Sequence, residues 1–103
     1  MAKKPVPLGR QLLQTLQDVT GLMAQSTDPT ELESLMAQRQ ELLGRIAELV
    51  DKNLDQASED YAAASAGLRK ASTSIRKAIK GMEQVAKAIQ LTADAVALVA
   101  KLA

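Results

Sequence analysis

The chain contains no cysteine, histidine, tryptophan or phenylalanine, and Tyr61 is its only aromatic residue. Without cysteine it has no disulfide, no thiolate nucleophile and no thiolate metal ligand. Without histidine it lacks the side chain that most often serves as a general base or as a metal ligand. A single aromatic ring also leaves almost no means of stacking on nucleic-acid bases.

The chain is rich in residues that form helices readily. It has 103 residues, and 47% of them are hydrophobic, mostly leucine, alanine, valine and isoleucine. Alanine, leucine, glutamine, glutamate, lysine and arginine dominate, and no run alternates β-branched or aromatic residues with polar ones. The composition predicts an all-α fold, and the length fits one domain.

Proline and apolar spacing divide the first half of the chain. Pro5 and Pro7 predict an extended N-terminal arm over residues 1–7, followed by a single helical domain over 8–103. Apolar residues spaced three or four apart predict a first helix over 8–25. A second helix is predicted over 29–52, because Asp28 can cap it and Pro29 suits its first position.

The end of the second helix is ambiguous. Residues 51–58 are dense in turn and capping residues, which favours a turn there. A turn near Gly67 and an unbroken or merely kinked helix are the alternatives, the latter because apolar residues keep heptad spacing through the region. We predict a third helix over 58–102.

A seven-residue pattern runs through that third helix. Two sets of core positions each repeat every seven residues: one holds large residues, and the other holds alanine up to residue 78. Small residues at one set of core positions predict that a neighbouring helix packs closely. The fold expected is an antiparallel helical hairpin or three-helix, coiled-coil-like bundle, completed by oligomerisation. The predicted packing seam comprises Tyr61, Ala64, Leu68, Ala71, Ile75, Ala78, Met82, Val85, Ile89, Val96 and Val99.

Charge is distributed in opposed blocks. Residues 28–60 carry nine acids and three bases, whereas residues 61–103 carry seven bases and two acids. If the chain folds back on itself, we expect the acidic helix to lie along the basic one. The exposed basic stripe of the third helix comprises Arg69, Lys70, Arg76, Lys77, Lys80 and Lys87.

The C-terminal segment is apolar nearly all round. Fourteen of the nineteen residues from Val85 to Ala103 are apolar. Such a helix needs cover on several sides, which predicts self-association, a partner or a membrane. The predicted assembly or membrane face comprises Leu91, Ala95, Leu98 and Leu102.

No residue combination predicts a catalytic, cofactor or metal site. Ser72, Thr73 and Ser74 have no histidine to activate them. The acids Glu48 and Asp51 belong to a face without the loop of a calcium site. We therefore expect a protein that is not an enzyme and that needs no cofactor.

Three functional hypotheses follow. The first is a structural or interaction protein that binds itself or another helical protein, as an oligomeric scaffold, a filament or phage-type subunit, or a small secretion-associated protein or chaperone. The second is a membrane-active protein that inserts or docks residues 85–103. The third and weakest is a nucleic-acid-binding module that uses the basic stripe. The cytoplasm is the default location, because no signal-peptide or transmembrane pattern is evident, and secretion without a cleaved signal stays open.

Overall fold

The computed structural model describes residues 8–49 and 58–102. These residues form four helices, and the part of the chain that is described contains no strand. The helices are α1 (Leu8–Gln25), α2 (Pro29–Leu49), α3 (Glu59–Ile79) and α4 (Val85–Ala100). The predicted all-α class is confirmed, and α1 coincides with the predicted range 8–25.

Side-chain caps define where α2 and α3 begin. The Asp28 Oδ1 atom accepts hydrogen bonds from the backbone N–H groups of Thr30 and Glu31, at 2.8 and 3.3 Å. Ser58 has extended backbone angles (φ −71°, ψ 152°), and its Oγ accepts from the N–H of Tyr61 at 3.2 Å. These contacts satisfy N–H groups that have no partner within their own helix.

The start of α3 tests the three alternatives for this region, which are a turn at 51–58, a turn near Gly67 and a helix without a turn. An extended Ser58 cannot lie inside a helix, so the prediction of an unbroken helix is wrong. The alternative turn at Gly67 is also wrong, because α3 continues through it. Residues 50–57 lie outside the described residues, and with them most of the favoured turn and the predicted helix end at residue 52. The predicted arm over residues 1–7 lies outside them too.

The single long helix predicted over 58–102 is wrong, because the chain turns between α3 and α4. Gly81 has φ +76°, a left-handed conformation that favours glycine. The Gly81 N–H donates to the Ala78 carbonyl at 3.0 Å, and the Met82 N–H donates to the Lys77 carbonyl at 2.8 Å. This pair of bonds is the Schellman arrangement that ends a helix at glycine.

The turn removes Met82 from the predicted packing seam. Its side chain is 73% exposed, and it lies between the two helices rather than within one. The seven-residue pattern is therefore interrupted here, and the described residues form four helices where at most three were expected.

The four helices pack as a bundle of two hairpins. Helix α1 packs on α2 and α3, and α4 packs on the same two helices. Helices α1 and α3 run parallel, because their hydrogen-bonded pairs advance together from Leu8–Tyr61 to Asp18–Arg76. Among the described residues, α2 and α3 make no direct packing contact. The prediction that the acidic helix lies along the basic one is therefore wrong for α2 and α3.

The core lies between the two hairpins, and small residues of α3 bring α4 close. All six seam residues of α3 are buried: Tyr61, Ala64, Leu68, Ala71, Ile75 and Ala78. On α4, Val96 and Val99 are buried, while Val85 and Ile89 are half-buried against the core. A Cβ atom at Gly67 would lie 2.8 Å from Leu98 Cδ1 and 3.4 Å from the Ala95 Cα. A side chain at Gly67 would therefore have to displace the tip of the Leu98 side chain.

Candidate functional site

A row of polar contacts joins α1 to α3. Thr15 is fully buried, and its Oγ1 lies 2.9 Å from the Ser72 Oγ. Nearer the N-termini of the two helices, the Ser65 Oγ donates to Gln11 Oε1 at 2.8 Å. Sequence reasoning missed this row because its members are widely separated in the chain. The contacts serve helix packing, since a satisfied polar pair in a core favours one register over others.

The basic stripe is divided among three places. Arg69, Lys70, Lys77 and Lys87 line a groove of about 340 Å³ between α3 and α4, which we call the basic groove. Arg76 turns towards α1 instead, with its Nε 3.4 Å from Asp18 Oδ2. Lys80 is the exposed C-cap residue of α3.

Most of the positive charge in the basic groove is uncompensated. Glu83 is the one acid among the described residues that line it, and Glu83 Oε1 lies 3.8 Å from the Lys87 Nζ. Arg69, Lys70 and Lys77 make no ion pair with any residue of the described ranges. Like charges held together along one groove produce a positive potential that attracts anions.

Hydroxyl groups also line the basic groove. Thr73 is exposed, and its Oγ1 donates to the Arg69 carbonyl at 2.9 Å. Ser74 is only 3% exposed, and its Oγ has no hydrogen-bond partner among the described residues. Buried hydroxyls are normally hydrogen-bonded, so this one marks a place for a water or a ligand atom.

The C-terminal apolar segment is covered mainly by its own chain. Ala95 is fully buried, so it cannot belong to an assembly or membrane face, and that part of the prediction is wrong. Leu91, Leu98 and Leu102 are half-buried and pack against the core cluster. The outward side of α4 presents alanines instead, among them Ala93 and Ala97.

Those alanines line a second groove of about 230 Å³, between α2 and α4, which we call the alanine groove. Its apolar wall consists of Ala93, Val96, Ala97 and Ala100, and its polar wall consists of Gln38, Glu41 and Arg45. The Gln38 Nε2 donates to the Ile89 carbonyl at 2.7 Å. The side chain of Arg45 donates to Glu48 Oε2 at 2.7 Å through Nη1.

Two polar atoms at the alanine groove are unsatisfied. Gln38 is 8% exposed, and its Oε1 has no hydrogen-bond partner within the described part of the chain. The Arg45 Nε is likewise buried without a partner. This wall thus holds one acceptor and one donor without a partner, and each costs about 1–3 kcal/mol while unpaired.

Neither a membrane span nor a metal cluster is evident over residues 8–49 and 58–102. No helix there is both long and apolar enough to cross a bilayer. No three acidic side chains there are grouped as metal ligands. Of the serine–threonine cluster, the Ser72 hydroxyl contacts Thr15 of α1, and the Thr73 hydroxyl donates to the Arg69 carbonyl of its own helix.

No protein-family model, no curated protein and no solved structure matches this chain.

Proposed function

We propose that the protein is a non-enzymatic structural or interaction protein that assembles with a second copy of itself through the alanine groove. The observation that carries this proposal is the pair of unsatisfied polar atoms, Gln38 Oε1 and Arg45 Nε, beside a row of exposed alanines.

Small residues on a helix surface permit a close approach of another helix, towards the short end of the usual 8–10 Å spacing. Ala93, Ala97 and Ala100 recur at spacings of four and three, so they form one stripe along α4. A stripe of this kind is self-complementary, because two copies related by a two-fold axis present the same small residues to each other.

The polar wall supports a specific contact rather than a merely apolar one. Polar side chains of the second copy can donate to Gln38 Oε1 and accept from the Arg45 Nε–H. The energetic gain comes from removing two unsatisfied groups from the free protein.

The test is the solution mass of Ala97→Trp compared with that of the unchanged protein. We expect the unchanged protein to exceed 11.0 kDa at micromolar concentration by light scattering. A tryptophan in the alanine groove fills the space that a second helix would occupy, so Ala97→Trp should return the mass to that of one chain.

The matched control is Ala62→Trp, at an exposed alanine of α3 away from this groove. It should leave the mass of the assembly unchanged. A single-chain mass for the unchanged protein at all concentrations would contradict assembly. An equal fall in solution mass in both tryptophan variants would place the interface outside the alanine groove. A mass that rises only with lipid vesicles would favour the membrane-active alternative.

A further inference from the structure

The basic groove between α3 and α4 is a second site, separate from the alanine groove. We propose that it binds the phosphate backbone of a nucleic acid without regard to base sequence. Four cations line it, and within residues 8–49 and 58–102 three of them have no acidic partner and the Ser74 hydroxyl has no hydrogen-bond partner.

The length of the groove fits a chain of phosphates rather than one phosphate ion. Arg69 and Lys77 are eight residues apart on α3, which corresponds to about 12 Å along the helix axis. One strand of duplex DNA carries a phosphate about every 3.4 Å of helix axis, so such a length faces three or four phosphates. The number of cations and the number of phosphates therefore agree.

The contact chemistry predicts binding without sequence preference. Lysine and arginine contacts to phosphates position a protein on nucleic acid but do not distinguish the bases. No aromatic residue lines the groove, so base stacking does not contribute. The cations lie along a shallow, open groove between α3 and α4, where a phosphate backbone can reach them from solvent.

Binding through phosphates has a measurable signature, because it releases counterions. The logarithm of the association constant falls with the logarithm of salt concentration, with a slope of about −0.9 for each phosphate neutralised on a duplex. Four contacts give a slope of about −3.6, and each lost cation lowers its magnitude by about one.

The experiment measures fluorescence anisotropy of two 20-base-pair duplexes of unrelated sequence over a range of NaCl concentrations. We expect equal affinity for both duplexes. We expect Lys70→Gln combined with Lys77→Gln to reduce the slope by about two and to weaken binding at low salt by about tenfold or more.

The matched control combines Arg10→Gln with Arg39→Gln. It removes the same charge from exposed positions of α1 and α2, outside the basic groove. Circular dichroism melting checks that both double variants fold, since all four positions are exposed. The control should retain the slope and affinity of the unchanged protein.

Several outcomes would overturn the proposal. The first is an absence of duplex binding at low salt. The second is a loss of affinity in the control variant as large as in the Lys70→Gln, Lys77→Gln variant, and the third is a clear preference for one duplex. Tighter binding of inorganic tripolyphosphate than of duplex would assign the groove to a free polyphosphate. Binding only to vesicles that contain an anionic phospholipid would assign it to lipid headgroups.

Discussion

At the scale of single residues, the smallest side chains determine how closely the helices approach. Ala64 and Ala71 are fully buried on α3, and Gly67 lies against Leu98 and Ala95 of α4. Interiors of proteins are packed nearly as densely as organic crystals, so added atoms have little free space. The alanines of the seven-residue pattern are thus as constrained as the large residues beside them.

A substitution at Ala71 tests this constraint. We expect Ala71→Leu to destabilise the fold by roughly 1–3 kcal/mol, because the larger side chain must displace its neighbours. Ala63→Leu, at an exposed position of the same helix, should have almost no effect, because leucine and alanine have similar helix propensities. Denaturant titration measures both, and equal midpoints for the two variants would mean that α3 is not tightly packed.

At the scale of helices, the ends are set by local backbone and side-chain chemistry. Asp28 and Ser58 cap the starts of α2 and α3, and Gly81 ends α3 with positive φ. Gly44 differs, since it lies inside α2 with no atom near the position that a Cβ would occupy. The same substitution at the two glycines should therefore have opposite effects.

Gly81→Ala should lower stability by about 1 kcal/mol or more, because an L-residue is disfavoured in the left-handed region. Gly44→Ala should raise stability by up to about 1 kcal/mol, because alanine is the better helix former and no contact is disturbed. Thermal unfolding followed by circular dichroism measures both midpoints. A shift of the same sign in the two variants would argue against the turn between α3 and α4.

At the scale of the whole molecule, the two hairpins meet through α1–α3 and α2–α4 contacts. The α1–α3 contact contains the polar row, in which Thr15 and Ser72 are paired at 2.9 Å. The arrangement leaves α2 and α3 apart, so the basic surface of α3 is not neutralised by α2. Packing of the hairpins therefore leaves the basic groove charged.

A double-mutant cycle tests how the polar row joins the hairpins. Thr15→Val and Ser72→Ala should each cost about 1 kcal/mol, because each removes one partner of a hydrogen bond in or near the core. The double variant should cost clearly less than the sum, since both changes remove the same interaction. Thr20→Val, at an exposed position of α1, serves as the control and should be nearly neutral. Strict additivity of the two changes would show that the hydroxyls are not coupled.

Much of the local structure could be read from the sequence. The helix formers define the all-α class, the apolar spacing gives the limits of α1, and Asp28 with Pro29 gives the start of α2. These features depend on residues within a few positions of each other, so the local pattern carries the information. The break at Gly81 had a local signal as well, but the regular seven-residue spacing across it favoured a continuous helix.

Other features depended on contacts between residues far apart in the chain, and only the tertiary structure decided them. Periodicity shows which residues share a face of a helix, but it does not show which helix covers that face. Burial of Ala95 against α3 turned the alanines of α4 outwards, and the pairing of α1 with α3 kept α2 away from the basic helix. The sequence by itself therefore determined the helices and their apolar faces. The fold determined which faces stayed free to form the two grooves, because that depends on how the hairpins pack.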